Sequence, residues 1–344
     1  MASTRLFHEP QGIIYHSMAL AYAVAGYIGG FYLLFMDHWG LNALGTLALA
    51  HGMTIGAYLI HECGHNTIFR ANRNNERLGR LLSWICGSAY GTFEDIRYKH
   101  FRHHMDGDDS VWFMYDEFFK RHPFLVRMIK VLEWFYIPAH DLFMHFILVF
   151  SSWIIPQRRN QRLRNTMVIV LRGSVFITLL ILFPKVAVLY MVAYMIMMHI
   201  LRFMDAFQHD YGPNPILFDE KPELRFGGRK FEQLHTFSNP ISFRMTLPNY
   251  LVLNFGFHNA HHARPTVPWY RLPSYYRENI SDSPDSVIPF GRQLHMYHKY
   301  RSVRVDDEGG DLDHLQDAVE QEYLARARAG QLYGGNAVSF LTPF

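Results

Sequence analysis

Apolar residues crowd into four stretches of this chain. Two lie near the start, at residues 13–35 and 41–60, separated by Met36, Asp37, His38, Trp39 and Gly40. Two more follow a long, mostly polar interval, at residues 167–183 and 186–203, with Pro184 and Lys185 between them. Crossing about 30 Å of hydrocarbon takes ~20 helical residues, so the pattern predicts two membrane hairpins. A further stretch at residues 137–155 is comparably apolar but holds His140, Asp141 and His145 and is bracketed by Pro138 and Pro156. It is expected to lie at the interface or re-enter, because ionisable groups inside a span are costly. The first run is too long and too aromatic for a cleavable leader. The expected fold is therefore an all-α membrane protein, with four transmembrane helices in two hairpins under a mainly helical cytosolic cap.

Charge sets the expected orientation. Arg70, Arg73, Arg77 and Arg80 follow the second run, and Arg158, Arg159, Arg162 and Arg164 precede the third, whereas the hairpin turns offer Lys185 alone. Basic flanks stay on the cytoplasmic side, which puts both termini and the central segment there. Arg172 and Arg202, near the ends of the last two runs, are expected to snorkel to the interface. The chain then divides into a first hairpin (residues 1–62), a cytosolic or interfacial segment (63–166), a second hairpin (167–205), a cytosolic cap (206–305) and a C-terminal tail (306–344). In the tail an acidic stretch precedes a pattern at 313–328 that reads as a solvated helix.

Composition changes the picture at one point. Lys+Arg 33 against Asp+Glu 30 gives no argument for nucleic acid as a partner. The two cysteines, Cys63 and Cys86, cannot supply a four-thiolate cluster. The mean hydropathy of −0.06 averages two unlike kinds of segment. Histidine, at 21 of 344 residues, is the outlier.

Eight of these histidines fall in three clusters: His61-Glu-Cys-Gly-His65, His100-Phe-Arg-His103-His104 and His258-Asn-Ala-His261-His262. Residues three and four apart share a helix face, so each cluster can converge on one point. A single zinc uses three or four ligands; eight imidazoles suit two metals. Imidazole serves iron, copper, zinc and nickel alike, but an imidazole-rich pair of metals at a bilayer surface points to oxygen activation and attack on a lipid-like C–H bond. His61-Glu62-x-x-His65 is also the zinc-protease signature, with the glutamate as general base. That alternative leaves six clustered histidines without a role.

The three boxes resemble those of the integral-membrane fatty acid desaturase and hydroxylase superfamily. The likeness extends to box order, to the hairpins before the first box and between the second and third, and to the run Asn254-Phe-Gly-Phe-His258-Asn-Ala-His261-His262-Ala-Arg-Pro265 followed by Pro268-Trp-Tyr-Arg-Leu-Pro273. The resemblance implies a non-haem di-iron centre held by His61, His65, His100, His103, His104, His258, His261 and His262, with O2 as co-substrate and two external electrons per turnover. It also implies a ninth histidine between the second and third boxes. His209, just past the fourth apolar run in Gln208-His209, is favoured over His235. Carboxylates that orient ligand rings are expected at Glu62, Asp106, Asp109, Asp205 and Asp210. The remaining histidines are read as structural.

The expected partners are the bilayer, a fatty acyl substrate and a separate electron donor of ferredoxin or cytochrome b5 type with its reductase. Arg158, Arg159, Arg162 and Arg164 are the candidate docking surface for the donor. Desaturation is the expected reaction, with oxidative decarboxylation to a 1-alkene and hydroxylation as alternatives.

Overall fold

The structure, a computed structural model, describes residues 6–107, 109, 111, 115–211, 217, 229–280, 286–306 and 319–335. In chain order the helices are α1 (Gly12–Leu33), α2 (Trp39–Gly64), α3 (Asn72–Ile85), α4 (Phe93–Asp106), α5 (Tyr115–Arg121), α6 (Pro123–Trp134), α7 (Ala139–Ile154), α8 (Arg162–Leu182), α9 (Pro184–Asp205), α10 (Arg229–Leu234), α11 (His258–Ala263), α12 (Leu272–Asn279), α13 (Phe290–Lys299) and α14 (Val319–Ala329). Among the described residues, extended pairing is confined to isolated bridges at Phe7–Phe69, His209–Thr236 and Ser238–Val287. The chain forms two compact units, Met1–Ile96 with Phe143–Ile200, and Arg97–Leu142 with Leu201–Phe344.

In the first unit, α1 and α2 cross backbone to backbone. A Cβ on Gly30 would stand 2.6 Å from Leu49 N, and one on Gly52 2.9 Å from Ala23 O. Small residues at such crossings are the means by which helices associate in lipid, where apolar side chains gain nothing by leaving it. The hairpin turn is closed by Asn42, whose amide donates to the carbonyls of Leu33, Leu34 and Met36 at 2.9, 3.2 and 2.9 Å. The first two are carbonyls at the end of α1 that have no partner within the helix, and the third lies in the turn itself.

Among the described residues, three helical stretches combine the length and apolarity to cross a membrane: Trp39–Gly64, Pro156–Leu182 and Pro184–Asp205. The expected first span is a helix of 22 residues. It is not one of the three, because Tyr15, Tyr22, Tyr27, Tyr32 and His16 dilute its hydropathy. At 16 residues, α7 reaches only ~24 Å. It is too short to cross.

Two further expectations are corrected in the second unit. Arg202 does not snorkel; it is 1% exposed and forms a two-pronged pair with Glu133 at 2.8 and 3.0 Å. Asp141 approaches the same guanidinium at 2.9 Å, and the Tyr297 hydroxyl accepts from its Nε at 3.0 Å. Buried partners of this quality replace the water that snorkelling would supply, and losing one from such a cluster costs about 3–5 kcal/mol. Nor is α14 solvated. Leu324 and Ala327, one turn apart, join Phe207, Phe237, Ile288 and Met296 in a buried cluster. Residues 307–318, with the acidic stretch, the beginning of the predicted tail helix and His314, lie outside the described residues.

Candidate metal centre

The second box rides on α4, whose start is fixed by a reciprocal cap. Thr92 N donates to Asp95 and Asp95 N donates to Thr92 Oγ1, both at 3.1 Å. The third box is the short helix α11, held by its own Asn259. The Asn259 backbone N–H donates to Ser238 Oγ at 3.3 Å and its amide donates to Ser286 Oγ at 2.7 Å. Upstream, Leu253 and Asn254 adopt left-handed φ of 44° and 57°, turning the chain into the helix. Gly256 lies so close to the backbone of Pro240 that a Cβ would fall 2.7 Å from its Cα.

Within the second unit the two HxxHH helices divide their rings between two sets. His103 from α4 joins His258 and His262 from α11, and His209 completes a group whose donor atoms all lie within 4.8 Å of one another. The contacts are Nε2 to Nε2: His103 to His262 3.2 Å, His209 to His262 3.1 Å, His258 to His209 2.7 Å. The second set takes the opposite share, with His100 and His104 from α4 and His261 from α11. Here His104 Nε2 stands 3.2 Å from His100 Nε2 and 3.1 Å from His261 Nε2. Each i, i+4 pair thus serves one set and the intervening i+3 ring serves the other, although spacing alone predicted that each box converges on a single point.

Behind the rings stand carboxylates. Glu232 Oε1 accepts from His262 Nδ1 at 2.7 Å and lies 3.7 Å from His104 Nδ1. Asp109 is 3.0 Å from His103 Nδ1 and 3.9 Å from His209 Nδ1. A neutral imidazole has one N–H, and a ring that turns it toward a carboxylate presents a bare lone pair at Nε2. His103 and His262 are both so arranged, yet their Nε2 atoms face one another. Two lone pairs at this distance repel unless a cation lies between them. Donors held ~2.1 Å from one cation sit ~3.0–3.4 Å apart for right to tetrahedral angles, which the 3.1 and 3.2 Å contacts match. The donor set therefore fits a metal ion. Burial favours the uncharged rings that ligation requires, pushing His209 down to about 3 and His262 well below its ordinary value. For Asp109 burial acts upward, but the facing His209 and His103 outweigh it and hold the carboxyl low. Burial lifts Glu232 to about 7.

The fatty acid desaturase family pattern matches residues 37–294, three quarters of the chain. The chain belongs to the fatty acid desaturase family. Among curated proteins the chain finds no match. Family membership makes it an oxidoreductase of fatty acids in a membrane setting, and gives the two imidazole sets their context.

The remaining residues expected in a desaturase site separate clearly. His61 and His65 end α2 in the first unit, buried, with ring centroids 4.8 Å apart. Glu62 accepts from Thr67 Oγ1 at 2.5 Å and lies 3.7 Å from His61 Nδ1. That bond occupies an oxygen a protease base would keep for water. Asp106 pairs with Arg102 on its own helix. Asp205 and Asp210 frame the turn that carries His209, through Gln208 N to Asp205 O and Asp210 N to His235 O, both at 3.0 Å.

The bridge between His209 and Thr236 explains why one of two nearby histidines reaches the centre. Side chains alternate along extended backbone, so His235 points away from the face that His209 shares with Thr236 and Tyr211. The His235 ring stacks on Phe231 at 4.1 Å, and His235 is in none of the metal-capable groups among the described residues. Tyr211 lies against His209, ring centroids 4.7 Å apart, and its hydroxyl meets Thr236 Oγ1 at 2.7 Å.

Sequence reasoning missed Glu232 and Tyr211. A signal for Glu232 existed, since it lies three residues before His235 in the polar interval. Other histidines have ordinary partners, such as Tyr22 for His51 at 2.6 Å and Tyr194 for His145 at 2.8 Å. Of the arginines expected on a docking surface, Arg158 is buried and paired with Asp95 at 2.8 Å, so it is not available to a partner protein.

Proposed function

We propose that this chain is a membrane-bound, O2-dependent desaturase of fatty acyl chains, nine of whose 21 histidines hold two iron ions. The observation that carries the reading is the convergence of Nε2 atoms in two sets with carboxylates behind them, in a member of the desaturase family. His103, His209, His258 and His262 hold one ion. His100, His104 and His261 hold the other, and His61 and His65 complete it. This last step rests on the family resemblance: the second set has three donors of its own, and the first box, His61 and His65 at i, i+4 spacing, supplies the further pair.

When bound, the iron pair with O2 and two supplied electrons provides the oxidising power to take hydrogen from an unactivated methylene. The protein's residues do the rest. Glu232 and Asp109 fix the tautomers of His262 and His103, and so aim each Nε2 inward. Tyr211 and Thr236 hold the His209 ring at its angle. A cavity of about 250 Å³ bordered by His104, Asp106, Arg229, Glu232, His262 and Pro265 gives the centre a polar approach, suited to the protons that desaturation consumes. Four spans, with α1 as the first, and a cytoplasmic centre served by a ferredoxin- or cytochrome b5-type donor complete the proposal.

The test is expression of the full chain with a reductase and donor, followed by analysis of membrane acyl chains and headspace volatiles. New double bonds are the expected result. Hydroxylated chains or 1-alkenes instead would reassign the reaction within the family, and bound zinc with no lipid product would overturn the oxidase reading.

A further inference from the structure

We infer that the first unit carries a binding site for an acyl lipid with an anionic head, built from none of the histidines. The site is a cleft of about 400 Å³ between α3, the loop after it and the start of α8, bordered by Arg80, Trp84, Arg164, Met167, Val168 and Leu171. This volume falls within the ~300–1,000 Å³ of sites that take small organic ligands.

Its head end is defined by Arg164. That guanidinium donates to the carbonyls of Ala89 at 2.7 Å, Gly91 at 3.3 Å and Tyr90 at 3.5 Å, and to the amide oxygen of Asn165 at 3.0 Å. All four acceptors are neutral. The carboxylates on the neighbouring turn are engaged elsewhere, Glu94 by Arg80 and Asp95 by Arg158 at 2.8 Å. Two turns along the same helix face, Arg172 donates to Trp84 O at 2.8 Å and lies over the Tyr90 ring. It too has no carboxylate partner among the described residues. The cleft is therefore bordered by a half-buried cation fixed in place by neutral acceptors, with Asp95 and Glu94 near enough to be felt but in direct contact with Arg158 and Arg80 instead.

The other end is apolar and open. Trp84, Met167 and Leu171 are 40%, 58% and 57% exposed and face outward where the apolar part of α8 begins. A tryptophan and arginines at the start of an apolar helix mark the headgroup level of a bilayer. A soluble anion would gain nothing from the apolar wall, and an uncharged lipid nothing from the guanidinium. An amphiphile with one anionic head uses both: phosphate or carboxylate on Arg164, chain along Val168 and Leu171. A phospholipid and a free fatty acid share that chemistry.

The experiment is native mass spectrometry of the full-length protein after equilibration with a mixture of phosphatidylcholine and phosphatidylglycerol, and in a second arm with phosphatidylcholine and oleate. The wild type is expected to retain an anionic lipid in at least one arm, and the arm that does so identifies the source. Arg164→Gln and Leu171→Trp, the second filling the cleft from an exposed position, should each lower retention about tenfold or more, while Arg164→Lys keeps most of it. Thermal midpoint and metal content of the Leu171→Trp protein, expected to match wild type, keep the reading separate from misfolding. Equal retention of phosphatidylcholine and the anionic lipids, or retention unchanged in both Arg164→Gln and Leu171→Trp, would overturn the site.

Discussion

In the first unit, α1 and α2 touch where side chains are missing: Gly30 against Leu49 and Gly45, Gly52 against Ala23 and Tyr27. In the second, α4, α11 and the segment around His209 meet through ring nitrogens 2.7–3.2 Å apart, with Glu232, Asp109, Thr236 and Tyr211 holding the rings. The contrast follows from the solvent each region suits. Helices in lipid gain from close backbone approach, because exchanging apolar contacts with lipid for apolar contacts with protein yields little. Buried polar groups contribute only when fully satisfied, and then they specify one arrangement. Damage to the first region should therefore read out as lost stability, and damage to the second as lost metal.

The largest effect is expected at the centre. His209→Ala or His262→Ala should abolish turnover and remove roughly half or more of the bound iron, since each ring is central to the four-histidine set. Full iron and activity in His209→Ala would remove that residue from the ligand set. A smaller loss should follow Glu232→Gln, which keeps the shape but weakens the acceptor behind His262. Metal affinity is expected to fall ~10–100-fold, measured by chelator competition, and an unchanged affinity would mean that the carboxylate does not orient the ring.

The first region gives the complementary result. Gly30→Ala forces a Cβ onto the Leu49 backbone, and the resulting overpacking should cost about 1–3 kcal/mol. A lower thermal midpoint in detergent, with unchanged metal per folded chain, is the expected pattern; metal loss without a stability change would blur the distinction between the two regions. The smallest effect belongs to His235→Phe, which keeps the stack on Phe231. Iron and turnover should stay within about twofold of wild type. A large loss of iron there would reverse the choice between His209 and His235.

Much of the centre was legible in the sequence because ligand spacing on a helix is a local property. The eight clustered histidines and the hairpin before the first box follow from periodicity and order along the chain, whereas the preference for His209 rests on the family resemblance together with its place just past the fourth apolar run. What spacing could not supply is how a box divides. HxxHH says that three rings lie on neighbouring faces, and the splitting of His103 from His100 and His104 depends on where α11 lies. Glu232 escaped for a similar reason, since it reaches His262 only through the pairing of residues 208–210 with 235–237. Arg202 was misread because its partners Glu133 and Asp141 are about sixty or seventy residues away in the chain. α14 was misread because a Leu–Ala stripe is too weak a signal without the core it meets.

The most direct test of the central claim is the metal content of the purified full-length chain, wild type beside His61→Ala and His103→Ala. Two irons per wild-type chain are expected, each variant losing the ion of its own set. A single metal per wild-type chain, stoichiometric zinc, or a His61→Ala protein that keeps both irons would contradict the account.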